Sequence, residues 1–301
     1  MFFRDRMSFL KFFSGLTGGL SSIPDAAANP MNALFMHKLG AFEKSSCYAK
    51  IDMSTNSDHE CLPKLSDAKC GQSDSPDNST DQPWNVVITD TNDNIECGGV
   101  LVCSSWFLTT AGCLKKFEKK DANGDLKLGE FFAFTDVNSA DNFTDATQLS
   151  VRRVVFHDLY DPSARYSRQR LIHDIAAVQI KSLDNQPICL PDATANDLKT
   201  GDTAYSLGYG RFSDQATDAA GPLKVQSFEI ESKSSCEKMY GSINFDRSLC
   251  GKKSSNTHNM PICHGDKGGA LATYANSGWT LNGLISGGPD DCDLTDTVTQ
   301  N

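Results

Sequence analysis

The segment Cys263–Gly269 reads Cys-His-Gly-Asp-Lys-Gly-Gly and brings a thiol, an imidazole, a carboxylate and an amine into one short stretch. The amine of Lys267 attacks a carbonyl group only if its pKa is lowered, because an ordinary lysine is protonated at neutral pH. A protonated lysine instead pairs with a carboxylate. Covalent chemistry and an ion pair are therefore the two roles open to Lys267, and the ion pair requires no unusual pKa.

The eleven cysteines are a second chemical resource of the 301-residue chain. None of them forms a Cys-x-x-Cys pair, so disulfides in an oxidising compartment fit the pattern better than a zinc site. The odd number leaves at least one thiol that is free or bonded to another molecule. An intermolecular disulfide with a partner and an inert free cysteine both remain open.

Asp121–Asp125 has the spacing of acidic and amide side chains that begins a calcium-binding loop. The sixth position of that loop is Leu126 instead of glycine, and the twelfth is Phe132 instead of glutamate. We therefore predict a surface turn here, no metal site and no cofactor.

The net charge of −10 limits the classes of partner. No run of lysine and arginine forms a basic stripe, so nucleic acids and anionic membranes are not expected to bind. No apolar stretch reaches the roughly 18 residues that a membrane-spanning helix needs. A protein partner, whose identity the sequence does not reveal, is the remaining expectation.

Residues 1–28 are predicted to be a signal peptide, because arginines precede a moderately apolar stretch and Ala26–Ala28 offers a small-residue cleavage site. A disordered leader or a misassigned start is the alternative. Asn78 and Asn142 each begin an Asn-x-Thr glycosylation signal. Together with the cysteines, these features predict a secreted, extracellular glycoprotein.

The chain changes character at Pro83. Residues 29–82 have low hydrophobicity and carry Cys47, Cys61 and Cys70, and their end, residues 71–82, has the composition of a linker. Short apolar, β-branched runs follow at Asn85–Thr89, Gly98–Val102, Phe107–Thr110, Leu149–Phe156, Ile175–Ile180, Ala204–Leu207, Leu223–Ile230, Ala270–Tyr274 and Trp279–Ser286. Many short strands separated by turn residues indicate an all-β barrel or sandwich.

Several short motifs occur in one order from Pro83 to Cys292. They are Pro83–Trp84, Cys97–Gly99, Leu108–Cys113, Leu126–Glu130, Phe156–Tyr160, His173–Ala176, Pro187–Pro191, Leu207–Gly210 and Cys263–Gly269. In order and spacing they resemble those of the trypsin/chymotrypsin-like serine protease family, peptidase S1. The resemblance covers residues 83–292, leaves 293–301 as a short tail, and implies two six-stranded antiparallel β-barrels.

The resemblance also implies that the second barrel is incomplete, because the family continues beyond the position of Cys292 with another strand and a helix. A truncated isoform or gene model is the preferred explanation. A short substitute strand at Thr295–Thr299 and a strand supplied by a partner are the alternatives.

The catalytic positions are the main departure from the family. Leu108–Cys113 resembles the motif around the general base, where this chain has Gly112 in place of histidine. Cys263–Gly269 resembles the turn of the nucleophile, where Lys267 replaces serine. Of the triad only the carboxylate, Asp174, is present. Because the chemistry needs all three groups, the resemblance implies a protease fold without protease activity.

Two further roles are predicted around Lys267. The backbone N–H groups of Gly265 and Lys267 would form the remnant of an oxyanion hole. The ammonium group of Lys267 is expected to reach into the space left by the missing imidazole and to pair with Asp174, because a lone buried carboxylate is costly.

The substrate pocket is altered as well. By resemblance Pro261 lies at its floor, so no acidic group is present to hold an arginine or lysine of a substrate. Ser286, Gly287 and Gly288 replace a Ser-Trp-Gly edge that pairs with the substrate backbone, and the aromatic wall is lost. His264 is expected to be an exposed loop residue beside this pocket.

The activation signal of the family is absent from the linker. The family is cut after a basic residue, and the new amino terminus pairs with the aspartate that corresponds to Asp266. The stretch from Cys70 to Pro83 contains no lysine or arginine. We therefore expect a permanently single-chain, zymogen-like protein.

Four disulfides follow from the resemblance alone: Cys97–Cys113, Cys236–Cys250, Cys263–Cys292 and Cys70–Cys189. The pairing of Cys47, Cys61 and Cys103 is left open. The favoured function is an extracellular binding or regulatory protein without catalytic activity. A hydrolase of unusual mechanism and a disulfide-linked structural or adhesive protein are the alternatives.

Overall fold

The computed structural model describes residues 2–3, 70–73, 76, 82–120, 122–123, 126–161, 173–191, 198–211, 221–240, 248–253 and 262–287. Several predicted features lie outside these residues, namely Cys47, Cys61, Asn78, Pro261, Gly288, Cys292 and Thr295–Thr299, together with most of the predicted signal peptide and of the calcium-like loop.

The described elements are almost all strands. In chain order they are β1 (Phe2–Phe3), β2 (Asn85–Thr89), β3 (Ile95–Cys103), β4 (Trp106–Thr109), α1 (Ala111–Leu114), a 3₁₀ turn (Lys115–Phe117), β5 (Glu118–Lys120), β6 (Leu126–Leu128), β7 (Phe132–Thr135), β8 (Thr147–Gln148), β9 (Val151–Phe156), β10 (Ala176–Ile180), β11 (Thr203–Gly208), β12 (Lys224–Ile230), α2 (Lys233–Tyr240), β13 (Ser248–Leu249), β14 (Gly251–Lys253), β15 (Ala270–Ala275) and β16 (Gly278–Ile285). Each apolar run predicted from the sequence coincides with one of these strands to within a few residues.

The first sheet is antiparallel and has the order β8-β7-β2-β3-β4-β10-β9. Its central strands are buried along their whole length, since β2, β4 and β10 expose none of their residues. The register pairs Ala176 at the start of β10 with Thr109 at the end of β4. This pairing brings the segment before β10 beside α1, which follows β4.

The second sheet has the order β13-β1-β16-β15-β11-β12-β14. Its core is a cluster of apolar side chains that come from five strands and are at most 8% exposed: Ala204, Phe228, Ile230, Leu249, Leu271 and Ile285. The sheet carries one irregularity in register, between Leu271 and Ala272, where β15 pairs with β16. The strand alternation therefore buries one apolar face, as periodicity in the sequence predicts.

Each sheet has seven strands among the described residues, where the family resemblance implied six. The difference comes from two-residue strands that no sequence pattern marks, such as β8. In the second sheet β1 pairs with β13 on one side and with β16 on the other. The edge of β16 is thus paired with Phe2–Phe3, which fall within the predicted signal peptide.

β5 and β6 form a separate two-stranded sheet in which Lys119 lies opposite Lys127. The calcium-like loop connects these strands and is mostly outside the described residues, so the predicted surface turn stays a prediction. Within the described part of the chain, no group of three potential ligands could hold a metal ion. No helix of the described residues is long and apolar enough to cross a membrane.

Three of the disulfides implied by the resemblance are present, Cys70–Cys189, Cys97–Cys113 and Cys236–Cys250. Cys263 is also disulfide-bonded, and its partner lies outside the described residues. Cys103 is disulfide-bonded too, again to a residue outside them. Cys103 is therefore not the free thiol that the odd count of cysteines requires.

Candidate functional site

Asp174 lies directly before β10 and is buried, with 5% of its surface exposed. The β4–β10 register carries it to α1, where the backbone N–H of Gly112 donates a hydrogen bond of 2.7 Å to its Oδ1 atom. The hydroxyl of Ser286, just after β16, donates to Oδ2 at 2.5 Å. Each carboxylate oxygen therefore accepts a hydrogen bond, one from each half of the fold.

Gly112 faces the carboxylate with its backbone alone. A Cβ atom at this residue would lie 3.3 Å from Oδ1 of Asp174 and 3.3 Å from the hydroxyl oxygen of Tyr160. The surroundings of the predicted base position are thus a carboxylate and a phenol. The carboxylate is predictable from the sequence, whereas Tyr160 was assigned only to a motif and not to this site.

Two histidines, His157 and His173, lie near Tyr160 and Asp174 in the sequence, and both are buried. The rings of His157 and His173 stack, with centroids 4.4 Å apart and planes 27° apart. The backbone N–H of Leu159 donates to Nδ1 of His157, so the proton of a neutral ring is on Nε2. The sequence analysis gave neither imidazole a role.

The turn Cys263–Gly269 contacts both sheets. The N–H of Gly268 donates to the carbonyl of Ile285 in β16 at 2.7 Å, and the carbonyl of Lys267 accepts from Gly98 in β3 at 2.7 Å. Gly268 has a φ of 88°, and a Cβ atom there would lie 2.3 Å from the carbonyl oxygen of Gly98. Only glycine fits this conformation without strain.

Lys267 is half-buried in this turn. The hydrogen bonds described for Asp174 come from Gly112 and Ser286, one at each oxygen. These donors already compensate much of the cost of burying the carboxylate, which weakens the argument for an ion pair. The pairing of Lys267 with Asp174 stays a prediction.

Asp266 has a cation that the sequence analysis missed. Its Oδ2 atom is 2.6 Å from Nζ of Lys224, and the two side chains are 4% and 5% exposed. Oδ2 also accepts from the N–H of Cys263 at 2.9 Å, and Oδ1 accepts from the N–H of Gly210 at 2.8 Å. Lys224 donates in addition to the carbonyl of Arg211 at 3.0 Å.

The predicted pocket edge is partly described. Ser286 is buried and Gly287 half-buried after the end of β16, while Pro261 and Gly288 lie outside the described residues. His264 is exposed beside the turn. Ser286, predicted as a pocket residue, has its hydroxyl committed to Asp174.

The trypsin family model matches residues 70–300 of the chain. The chain belongs to the trypsin family. Among curated proteins, it is 27% identical to the vitamin K-dependent protein C of Rattus norvegicus over 219 residues, covering 69% of this chain and 44% of that protein. It is also 27% identical to the vitamin K-dependent protein C of Oryctolagus cuniculus over 226 residues, covering 71% and 45%. The chain thus spans less than half the length of these relatives.

A solved trypsin-family structure, neuropsin from mouse brain, matches 72% of this chain and 86% of its own, with a TM-score of 0.55 and 22% identity. This similarity establishes the fold alone. The predicted trypsin-like, all-β fold is confirmed, since the described sheets are antiparallel and agree with the two β-barrels of the trypsin family.

Proposed function

We propose that this trypsin-family chain is a pseudoprotease that acts as a binding or regulatory protein. The observation that carries the proposal is the contact between Gly112 and Asp174. Gly112 donates its backbone N–H to the carboxylate at 2.7 Å but has no side chain, whereas the mechanism needs an imidazole on this residue.

The chemistry supports this reading. Peptide hydrolysis by this mechanism needs a hydroxyl nucleophile and a base that takes its proton. Gly112 has no side chain to move a proton, and Lys267 carries an amine in place of the hydroxyl. Removal of the nucleophile or of the base alone costs about a millionfold in turnover, so the backbone donors that remain do not sustain useful hydrolysis.

Turnover and labelling test the proposal. The purified chain is incubated with pooled fluorogenic peptides and with a fluorophosphonate probe, and an active trypsin serves as the positive control. We expect neither hydrolysis nor labelling above the level of heat-denatured protein. Hydrolysis that both Lys267→Ala and Asp174→Asn abolish would overturn the proposal in favour of a hydrolase of unusual mechanism.

The face built from the turn and the residues that follow β16 is the proposed contact surface for a protein partner, because loops positioned by a rigid scaffold are the usual carriers of binding function. Gly287→Trp adds an indole to this face. We expect it to reduce the amount of partner captured from extracellular fluid, whereas Lys233→Trp, on the exposed side of α2, leaves capture unchanged. Equal capture by both variants would remove this surface from the proposal.

We further propose that the protein is secreted and glycosylated at Asn142. Asn142 is exposed, and its Oδ1 atom accepts from the N–H of Thr144 at 2.8 Å, which holds the signal in an accessible turn. The three disulfides described also suit an oxidising compartment.

Expression in secreting cells, followed by peptide N-glycosidase digestion, tests this site. Thr144→Ala is expected to remove one sugar-dependent step in electrophoretic mobility, while Thr144→Ser keeps it, because serine preserves the signal. A protein whose mobility is the same in the wild type and in Thr144→Ala lacks a sugar at Asn142.

A further inference from the structure

The ion pair between Lys224 and Asp266 lies in the interior of the second half of the fold. The Nζ atom of Lys224 and the Oδ2 atom of Asp266 are 2.6 Å apart, and the two side chains are 5% and 4% exposed, respectively. Burial of opposite charges is favourable only when the geometry is good and the remaining donors and acceptors are satisfied. Both conditions are met here, since each residue also makes hydrogen bonds to the backbone.

The position of Lys224 is fixed by the sheet. It is the first residue of β12 and pairs with Gly208, the last residue of β11. A Cβ atom at Gly208 would lie 2.3 Å from Oδ1 of Asp266, and one at Gly210 would lie 2.5 Å from its Cγ atom. The two glycines therefore make the room in which the carboxylate meets the lysine.

Asp266 in turn organises the segment that follows it. Its carboxylate accepts the N–H of Cys263, and its carbonyl accepts the N–H of Gly269 at 3.1 Å. The turn is thus wrapped around one carboxylate whose charge is balanced by one lysine. Without that lysine, the carboxylate would be left as an uncompensated buried charge and would move toward water, and the turn would move with it.

We propose that Lys224 is an internal counterion that fixes the Cys263–Gly269 turn in a single conformation in the uncut chain. The cation comes from the strand next to the turn, so the turn needs no amino terminus released by cleavage. Two expectations followed from the missing cleavage signal. One was that the protein stays a single chain, and the other was that this chain is zymogen-like. The ion pair instead gives the single chain an ordered turn. This inference goes beyond the proposed function and holds whether or not the chain hydrolyses peptides.

Hydrogen–deuterium exchange of the intact chain, shown by mass spectrometry to be uncut, tests the role of Lys224. In the wild type, amides in peptides that cover residues 262–269 should be protected. Lys224→Met should raise exchange there and in 205–211 by roughly a hundredfold, because a buried charge loses its partner. Peptides of β9 and β10 in the first sheet, which pair with each other, should keep their wild-type exchange. Lys233→Met, in the exposed ion pair with Glu237, is the matched control and should change nothing.

Asp266→Asn provides a second variant, which removes the carboxylate and leaves the ammonium group of Lys224 as the unpaired buried charge. The NH₂ group of an asparagine would face one of the two backbone N–H groups that donate to the carboxylate, so the turn should again exchange faster while β9 and β10 do not. The proposal is overturned if the turn of the wild type exchanges as an unprotected peptide. It is also overturned if either variant keeps wild-type exchange in the turn, or if exchange rises equally in both sheets, because the pair would then be a general stabiliser.

Discussion

Tyr209 connects the two halves of the molecule through one hydroxyl group. It is 8% exposed, and its hydroxyl donates to the carbonyl of Val137, in the loop after β7. Burial, and to a lesser degree the negative charge of Asp136, raise the pKa of this phenol well above its usual value. The folded protein therefore favours the neutral tyrosine, because an ionised one would lose its donor and carry a charge into the interior.

The preference of the folded protein for a neutral Tyr209 should appear in its stability at alkaline pH. The stability from neutral Tyr209 is complete below the unfolded pKa of about 10 and is lost as the pH rises toward the folded pKa. We expect Tyr209→Phe to cost about 1 kcal/mol at pH 8, through the lost hydrogen bond. Above pH 10 the wild type should lose about 1.4 kcal/mol per pH unit relative to the variant, so the variant should be the more stable protein by pH 11.

Urea unfolding of both proteins at pH 8 and pH 11 measures this difference. Lysines and the other tyrosines titrate in both proteins and cancel in the comparison. A gap that stays constant with pH would show that Tyr209 does not ionise preferentially in the unfolded chain.

The catalytic positions were predictable because they lie inside motifs, whereas their neighbours were not. Gly112, Asp174 and Lys267 follow from short recognisable strings of sequence. Lys224 and Asp266 are separated by 42 residues, and no local pattern relates them. The contact of Ser286 with Asp174 spans 112 residues and depends on how the two sheets pack. Long-range pairs of this kind come from tertiary packing, which no local sequence pattern encodes.

Gly268, in the turn Cys263–Gly269, and Gly201, before β11, need glycine for different reasons. Gly268 and Gly201 have nearly the same φ, 88° and 89°, a region that other residues rarely adopt. A Cβ atom at Gly201 would have no atom within 4 Å, whereas one at Gly268 would lie 2.2 Å from Oγ1 of Thr109. The backbone strain is therefore shared by the two sites, and the steric clash belongs to Gly268 alone.

Alanine at these two glycines should separate the two costs. Gly201→Ala is expected to cost about 1–2 kcal/mol, from backbone strain alone. Gly268→Ala should cost at least about 2 kcal/mol more, because the turn must leave β3 to relieve the clash. Thermal or urea unfolding measures both losses of stability. Equal losses would mean that the turn moves away from β3 and relieves the clash at no measurable cost.

The strands show which elements the hydrophobic pattern of the sequence predicts and which it does not. Runs of β-branched residues predicted every long strand, because such side chains fit a pleated and half-buried surface. The two-residue strands β1, β8 and β13 carry no period, so only their partners define them. The occupant of the edge of β16 was missed for this reason, since β1 is contributed by the opposite end of the chain.

At the scale of the whole fold, Cys70–Cys189, a disulfide that the resemblance predicted, links distant parts of the described chain. Cys70–Cys189 joins residues 119 apart in sequence, and Gly71 beside it donates to the carbonyl of Pro187 at 2.8 Å and accepts from the N–H of Trp279 at 2.7 Å. It ties the segment before the first sheet to the connection between the sheets and to β16. Cys236–Cys250 joins residues only 14 apart, within the second sheet.

Removal of the two disulfides should therefore differ in cost. In the chain-entropy account a crosslink stabilises more when it closes a longer loop, and the difference here is about 2 kcal/mol. We expect Cys70→Ser with Cys189→Ser to lower the free energy of unfolding by about that much more than Cys236→Ser with Cys250→Ser. Urea unfolding of the two double variants measures it, and a reversed order would show that local strain outweighs loop length.

The contact between the turn and β3 sets a limit on motion. A Cβ atom at Gly98 would lie 2.9 Å from the Cα atom of Gly269, so backbone touches backbone with no side chain between them. Hinge and shear movements need an interface that slides or opens, and here the first step would break the hydrogen bond from Gly98 to Lys267. The turn and β3 should consequently keep their arrangement when a partner binds at this face, so that any adjustment is left to the partner.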